Sequence, residues 1–330
     1  MKNKNSKINS KKPKNKINTT KHNIKPKIKL NKIKKILIED RIISINFFKN
    51  LNFLVLTLNK YLIYSPKFEL IKAYDLKYEI HEIKIIDNEN FKCLYNYDQY
   101  VNMNIKNNKI KKIINFGRSD ITSIKYYKKN IIAISDINTI FIWEFIEKNK
   151  YQFTTKIKLG IYCENIFVFE QYDIFISCGF DNLGIYNLKK NKIDSISKEL
   201  SFRAAMPFYG NNILFLGGND DWGYKYLTVY NIKEKKIIKN MKFDFFFNVE
   251  EANTPDLIKY YQKKDVIIIC GGNNNVFNNV YIYDRDFNLI QTLEKIHYRN
   301  IVGLTIYERS TNDLILSYTK DGEISFYSIN

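Results

Sequence analysis

The residues that could do chemistry in this sequence are few and scattered. Its histidines are His22, His81 and His297; His22 falls in the N-terminal segment, and His81 and His297 read as structural, with no recognisable acid/base partner arrangement. The cysteines Cys93, Cys163, Cys178 and Cys270 form no C-x-x-C pair and have no histidine cluster beside them, so they read as core thiols. No G-x-S-x-G or H-E-x-x-H motif occurs. "FLGG" and "ICGG" lack the Lys-Ser/Thr and the helix that a phosphate-cradling loop needs. The acidic pairs Asp220-Asp221 and Glu250-Glu251 are adjacent residues. On an extended chain these point to opposite faces and cannot act together as acid and base. The expectation is a protein without catalytic residues, metal or cofactor.

Binding chemistry is better represented. Only six of the 53 basic residues are arginine, and four of them sit at comparable places. Arg41, Arg118 and Arg299 lie one to three residues before a short apolar run, and Arg203 occupies its first position. Arginine captures carboxylate or phosphate through two parallel bonds and is enriched where partners bind most tightly. Were one fold to gather these four run starts on one rim, they would make a basic ring for an acidic peptide or a phosphorylated segment. Two long insertions add aromatic side chains: Trp222 in "NDDWGYKY", and Phe247 in "FDFFFNVEEANTP". Long loops on a rigid scaffold are where recognition tends to sit.

The net charge of +19 is unevenly spread. Residues 1–38 hold 14 Lys and no Asp or Glu, which leaves 39 basic residues against 34 acidic in the remainder. The basic object is therefore the N-terminal segment, including Lys11, Lys12 and Lys14 of "KKPK". That run fits a short nuclear-import signal, and a segment of this charge also suits RNA phosphates. It has no aromatic residue on which bases could stack.

These residues must be positioned by strands. Residues 1–32 read as a disordered basic tail. From Ile33 onward, short runs rich in Ile, Tyr, Phe and Val alternate with Asn, Asp, Gly and Lys turns, the pattern of an all-β chain. Asn253–Asp265 comes nearest to a helical pattern and is still read as strand. No apolar run approaches the ~18 residues of a membrane helix, so no membrane association is expected, and the N-terminus lacks a secretory apolar core.

The runs repeat. An aromatic residue followed by a polar one closes a run at Tyr64, Trp143, Tyr186, Tyr230, Tyr283 and Tyr327, with Met103 filling the one gap. The spacings are 39, 40, 43, 44, 53 and 44. A second pattern, apolar-x-x-apolar-x-apolar, opens each unit, as in Ile42/Ile45/Phe47 and Ile301/Leu304/Ile306. Seven units near 43 residues predict a seven-bladed β-propeller of four-stranded antiparallel blades over residues 33–330. The last unit reaches Asn330 after three strands. Ile33–Asp40 is therefore expected to supply its fourth strand and close the ring.

Residues 117–144, "GRSDITSIKYYKKNIIAISDINTIFIWE", resemble the repeat of the WD-repeat family, with Trp143-Glu144 in the place of its Trp-Asp pair. Residues 297–328 are similar, with His297 before the first strand and an Asp321-Gly322 turn. The resemblance implies that His297, Ser317, Asp321 and Tyr327 form a buried hydrogen-bond chain, with Tyr in place of Trp. It further implies a non-catalytic scaffold in a multiprotein complex, binding partners through the top face. Blades 5 and 6, with "FLGG" and "ICGG" before long loops, resemble the kelch repeat instead, which implies a substrate adaptor. The alternative is a subunit of a ribonucleoprotein or ribosome-assembly complex whose tail touches RNA. The corresponding locations are nucleus or cytoplasm. A mitochondrial presequence fits less well, since Pro13 and Pro26 interrupt an amphipathic helix.

Overall fold

The computed structural model describes residues 29–117, 121–135, 139–147, 150–158, 165–178, 183–188, 192–197, 202–217, 224–247, 257–273, 276–309 and 312–329. They form seven antiparallel blades. Blade 1 is β2 (Ile42–Phe47), β3 (Phe53–Thr57), β4 (Lys60–Tyr64) and β5 (Leu70–Asp75). Blade 2 is β6 (Ile80–Ile85), β7 (Asn90–Tyr95), β8 (Gln99–Asn104) and β9 (Lys109–Asn115). Blade 3 is β10 (Ile121–Tyr127), β11 (Asn130–Ser135), β12 (Thr139–Glu147) and β13 (Lys150–Lys158). Blade 4 is β14 (Asn165–Phe169), β15 (Ile174–Cys178), β16 (Leu183–Asn187) and β17 (Lys192–Ser197). Blade 5 is β18 (Phe202–Pro207), β19 (Asn212–Gly217), β20 (Tyr224–Asn231) and β21 (Lys236–Phe247). Blade 6 is β22 (Ile258–Tyr261), β23 (Val266–Asn273), β24 (Val276–Asp284) and β25 (Leu289–Leu293). Blade 7 is β26 (Ile301–Tyr307), β27 (Leu314–Thr319) and β28 (Glu323–Ile329), completed by β1 (Leu30–Leu37).

The sequence texture follows position in the blade. Second strands such as β3, "FLVLT", and β27, "LILSYT", are buried along their whole length and read as continuous apolar runs. Outer strands such as β5 and β13 are mostly exposed and carry Lys, Thr and Gln. The first strand of each blade lies beside the first strand of the next, from β2 to β6 and onward until β26 returns to β2. That cycle is the ring.

β1 pairs antiparallel with β28, from Leu30 opposite Ile329 to Leu37 opposite Glu323. The closing strand thus begins three residues before Ile33, and the chain leaves the sheet after Leu37. The segment that came nearest to a helical pattern contains β22 and a turn to Asp265. Blades 5 and 6 depart from the plain repeat: β21 runs for 12 residues and Phe246 reaches Gly272 of β23, joining the two sheets.

Apolar side chains fill the seams between blades. Trp143 lies in the seam between blades 2 and 3, edge-on to Phe116 and Phe153 and tilted on Phe141. It is a packing residue. Tyrosine hydroxyls stitch several seams: Tyr61 donates to Asn108 (2.7 Å), Tyr127 to Asp173 (2.5 Å), Tyr172 to the Gly210 carbonyl (2.6 Å), and Tyr307 to the Leu51 carbonyl. A chain with 25 Tyr and two Trp can hold its blades together this way, because tyrosine joins a large apolar body to a polar tip.

Candidate functional site

In an antiparallel blade the start of the first strand, the turn between second and third strands and the end of the fourth strand share one edge. Ile42 opposite Thr57 and Lys60 opposite Asp75 fix this for blade 1. Ile301 opposite Thr319 and Leu37 opposite Glu323 fix it for blade 7. The rim at the junction of blades 7 and 1 therefore collects residues far apart in sequence.

Arg41 stands there, exposed, immediately before β2. Its placement comes from Asp40, whose carboxylate accepts from the Thr57 hydroxyl (2.6 Å), the Arg41 amide (2.7 Å) and the Asn59 amide (3.2 Å). Burial opposes ionisation of Asp40, but these bonds prevail and hold its carboxyl below the usual value. Arg299 stands on the same rim before β26, exposed and 3.2 Å from Asp321. An exposed pair of this kind contributes about 0–1 kcal/mol and exchanges readily for a partner's carboxylate.

Other expected site residues are only partly placed. Arg203 lies in β18 and Phe247 ends β21, by backbone position. Arg118, Trp222, Lys11, Lys12 and Lys14 lie outside the described residues. Of the four arginines expected to share a rim, the structure brings Arg41 and Arg299 together on adjacent blades.

Three exposed apolar side chains on this rim were not singled out by motif. Tyr298 is 89% exposed, Leu37 71% and Leu58 42%. Tyr298 adjoins Arg299, and the Lys35 ammonium sits 5.5 Å from its ring. The available signal was adjacency alone: Leu37 ends the closing strand and Leu58 sits in the β3–β4 turn. Their shared edge becomes visible only once the pairing register is known.

Beneath this rim lies a polar knot. His297 is buried, with Nε2 2.7 Å from the Ser317 hydroxyl. Its Nδ1 lies 2.9 Å from Glu323 Oε1 without the alignment of a hydrogen bond, and Lys35 of β1 pairs with Glu323 at 2.9 Å. The expected four-residue chain is thus corrected. Asp321 is drawn out to Arg299, Glu323 takes the acid's place, and Tyr327 packs with Ile315 and Ile329 in the apolar seam. The turn at Asp321-Gly322 aims Asp321 at solvent, so only the first residue of the next strand can face the imidazole.

Burial lowers the His297 pKa to about 4, against a smaller opposing pull from Glu323. The unfolded chain, with an ordinary imidazole near 6.5, then takes up a proton before the folded one does. Stability from the neutral ring is complete above about pH 6.5 and is lost by about 3 kcal/mol as pH falls toward 4. Urea unfolding across this window should show the loss in the native protein and a flatter profile in His297→Gln. Equal pH profiles would refute the assignment. His81 is half-buried and tilted on Tyr97, and lies 3.3 Å from Glu79, whose carboxylate also accepts from the Tyr97 hydroxyl.

Among the described residues no group of three His, Cys, Asp or Glu could hold a metal ion, and no helix is long and apolar enough to cross a membrane. The buried Cys93 and Cys270 are free thiols raised far above their usual pKa by burial. No protein-family model matches the sequence, and no curated protein matches it.

Proposed function

We propose that the protein is a non-catalytic interaction scaffold that docks a partner protein on the rim where blades 7 and 1 meet. One observation carries the reading. Tyr298 is exposed on the same edge as Arg41 and Arg299, two residue types enriched among those that dominate protein interfaces, and Leu37 and Leu58 add exposed apolar surface beside them. The two arginines favour an acidic or phosphorylated segment. The β-propeller itself commonly serves as a scaffold for protein interaction. The repeat is read as a divergent WD repeat, supported by the His297–Ser317 bond and the seam position of Trp143.

The test compares partners recovered with native protein and with Tyr298→Ala/Arg299→Ala, two changes at exposed positions. Partner capture is expected to fall at least tenfold, since hot-spot truncations cost ~2 kcal/mol or more each, with the melting temperature unchanged. Identical recovery would remove the rim from consideration. A second reading, contact with RNA through the N-terminal segment, rests on the 14 lysines without an acid over residues 1–38. It requires RNA affinity that falls steeply with salt and is lost on removal of residues 1–29.

A further inference from the structure

Blade 2 breaks the sevenfold pattern at one place. On the face that each blade turns toward the next, a residue of the second strand stands opposite one of the third. Blade 1 fills this position with Leu54 and Ile63, blade 3 with Ile132 and Ile142, and blade 7 with Leu316 and Phe326. Blades 4, 5 and 6 carry aliphatic pairs at the same register. Blade 2 places Lys92 opposite Asn102. Lys84 of β6 stands opposite Lys92, and Lys111 of β9 opposite Asn102. Opposed residues on antiparallel strands share a face. The four side chains therefore form one cationic row across the blade, on the side facing blade 3.

The surroundings are aromatic. The Lys84 ammonium lies 3.3 Å from the ring centre of Tyr126, and Lys92 lies 5.8 Å from those of Tyr100 and Tyr151. None of the three lysines is in an ion pair among the described residues. Glu82, on the same strand as Lys84, is already held by Lys125 (2.6 Å) and Ser123 (2.9 Å) of blade 3. Glu170 acts on Lys84 through space only. Tyr100, 1% exposed, and Tyr126 each bury a hydroxyl with no hydrogen-bond partner, and their rings are 5.9 Å apart.

This arrangement is unfavourable by itself in three ways. Like charges stand directly opposite each other. Desolvation lowers the pKa of both Lys84 and Lys92, and the Lys84 charge adds to the effect on Lys92. Two buried hydroxyls lack partners. A compact dianion with several acceptor oxygens would relieve all three at once. Lysine, a point charge on a flexible stem, suits phosphoryl oxygens.

We propose that the seam between blades 2 and 3 is a binding site for a phosphoryl dianion, held between Lys84 and Lys92 with Asn102 and the tyrosine hydroxyls as neutral donors. The row lies toward the blade edge opposite the rim, where β6 ends and β7 begins, and on different blades from the rim at blades 7 and 1, so either can fail without the other.

The probe is inorganic phosphate, titrated calorimetrically into the full-length protein at constant ionic strength, with chloride as control. Saturable binding of phosphate and none of chloride is expected. Lys92→Leu, which copies Leu54 of blade 1, should weaken phosphate binding roughly tenfold to a hundredfold, as loss of one charged hydrogen bond implies. It should also leave the phosphate-free melting temperature unchanged or raised. Lys84→Gln, at an exposed position, should weaken binding similarly without a risk to folding. Tighter binding of O-phosphotyrosine than of inorganic phosphate would assign the site to a phosphorylated protein; equal binding would assign it to free phosphate. Absence of saturable binding, or binding unchanged in both variants, overturns the proposal.

Discussion

Removal of residues 1–37 is expected to destabilise the protein by at least ~5 kcal/mol, enough to unfold or aggregate a domain of ordinary stability. β1 supplies seven paired residues to β28, a buried Leu30 in the seam with Ile329, and the Lys35–Glu323 ion pair. Net hydrogen-bond contributions near 1 kcal/mol each and about 2 kcal/mol for a buried leucine account for the figure. Without β1, β28 becomes an open edge able to template pairing between molecules. The knot at His297 also loses one of its covers. Thermal melts and size-exclusion chromatography check the prediction, with removal of residues 1–29 as the control for lost charge alone. A melting temperature unchanged by removal of 1–37 would mean that β1 does not close the ring.

Gly322→Ala is the point substitution with the largest expected effect, about 4 kcal/mol. Gly322 has φ +91, where only glycine is comfortable, and a Cβ there would lie 1.8 Å from the Ile38 carbonyl oxygen. That neighbour is backbone and cannot rotate away. Gly322 also accepts a 2.9 Å hydrogen bond from the Ile38 amide, so the strain falls on the exit of the closing strand. A fall in melting temperature of roughly 5–10 °C is expected. Combined with removal of 1–37, the substitution should add much less than it does alone, because both act on one junction. Additive effects would separate the turn from the latch.

The ring, its sevenfold register and the source of its last strand were legible in the sequence because they rest on periodicity. Apolar runs that recur between polar turns must be buried between neighbouring blades, and Tyr64, Trp143 and Tyr327 recur since each blade solves the same packing problem. The exchange of Asp321 for Glu323 beside His297 was not legible. It depends on which of two acids a turn directs inward, a matter of backbone torsion that composition does not record. Tyr298, Leu37 and Leu58 share an edge through strand register, so no linear motif marks them. Lys92 and Asn102 looked like ordinary polar residues until the opposed pairs of the other blades showed what that position normally holds. The asymmetry is visible only against the repeat.

The pairing of β1 with β28 also sets how the ring answers to force. Leu30 and Ile329 are opposite each other, so the chain enters β1 and leaves β28 at the same corner of blade 7. Tension between them would pull the strands apart along their hydrogen bonds, which run across an antiparallel pair. Each pair would carry the load in turn, as in a zip. Tension applied at Leu30 and Ile329 would thus open the propeller at low force. A load carried between Leu37 at the rim and Ile329 at the opposite corner would instead run along the two strands and be shared by their hydrogen bonds at once.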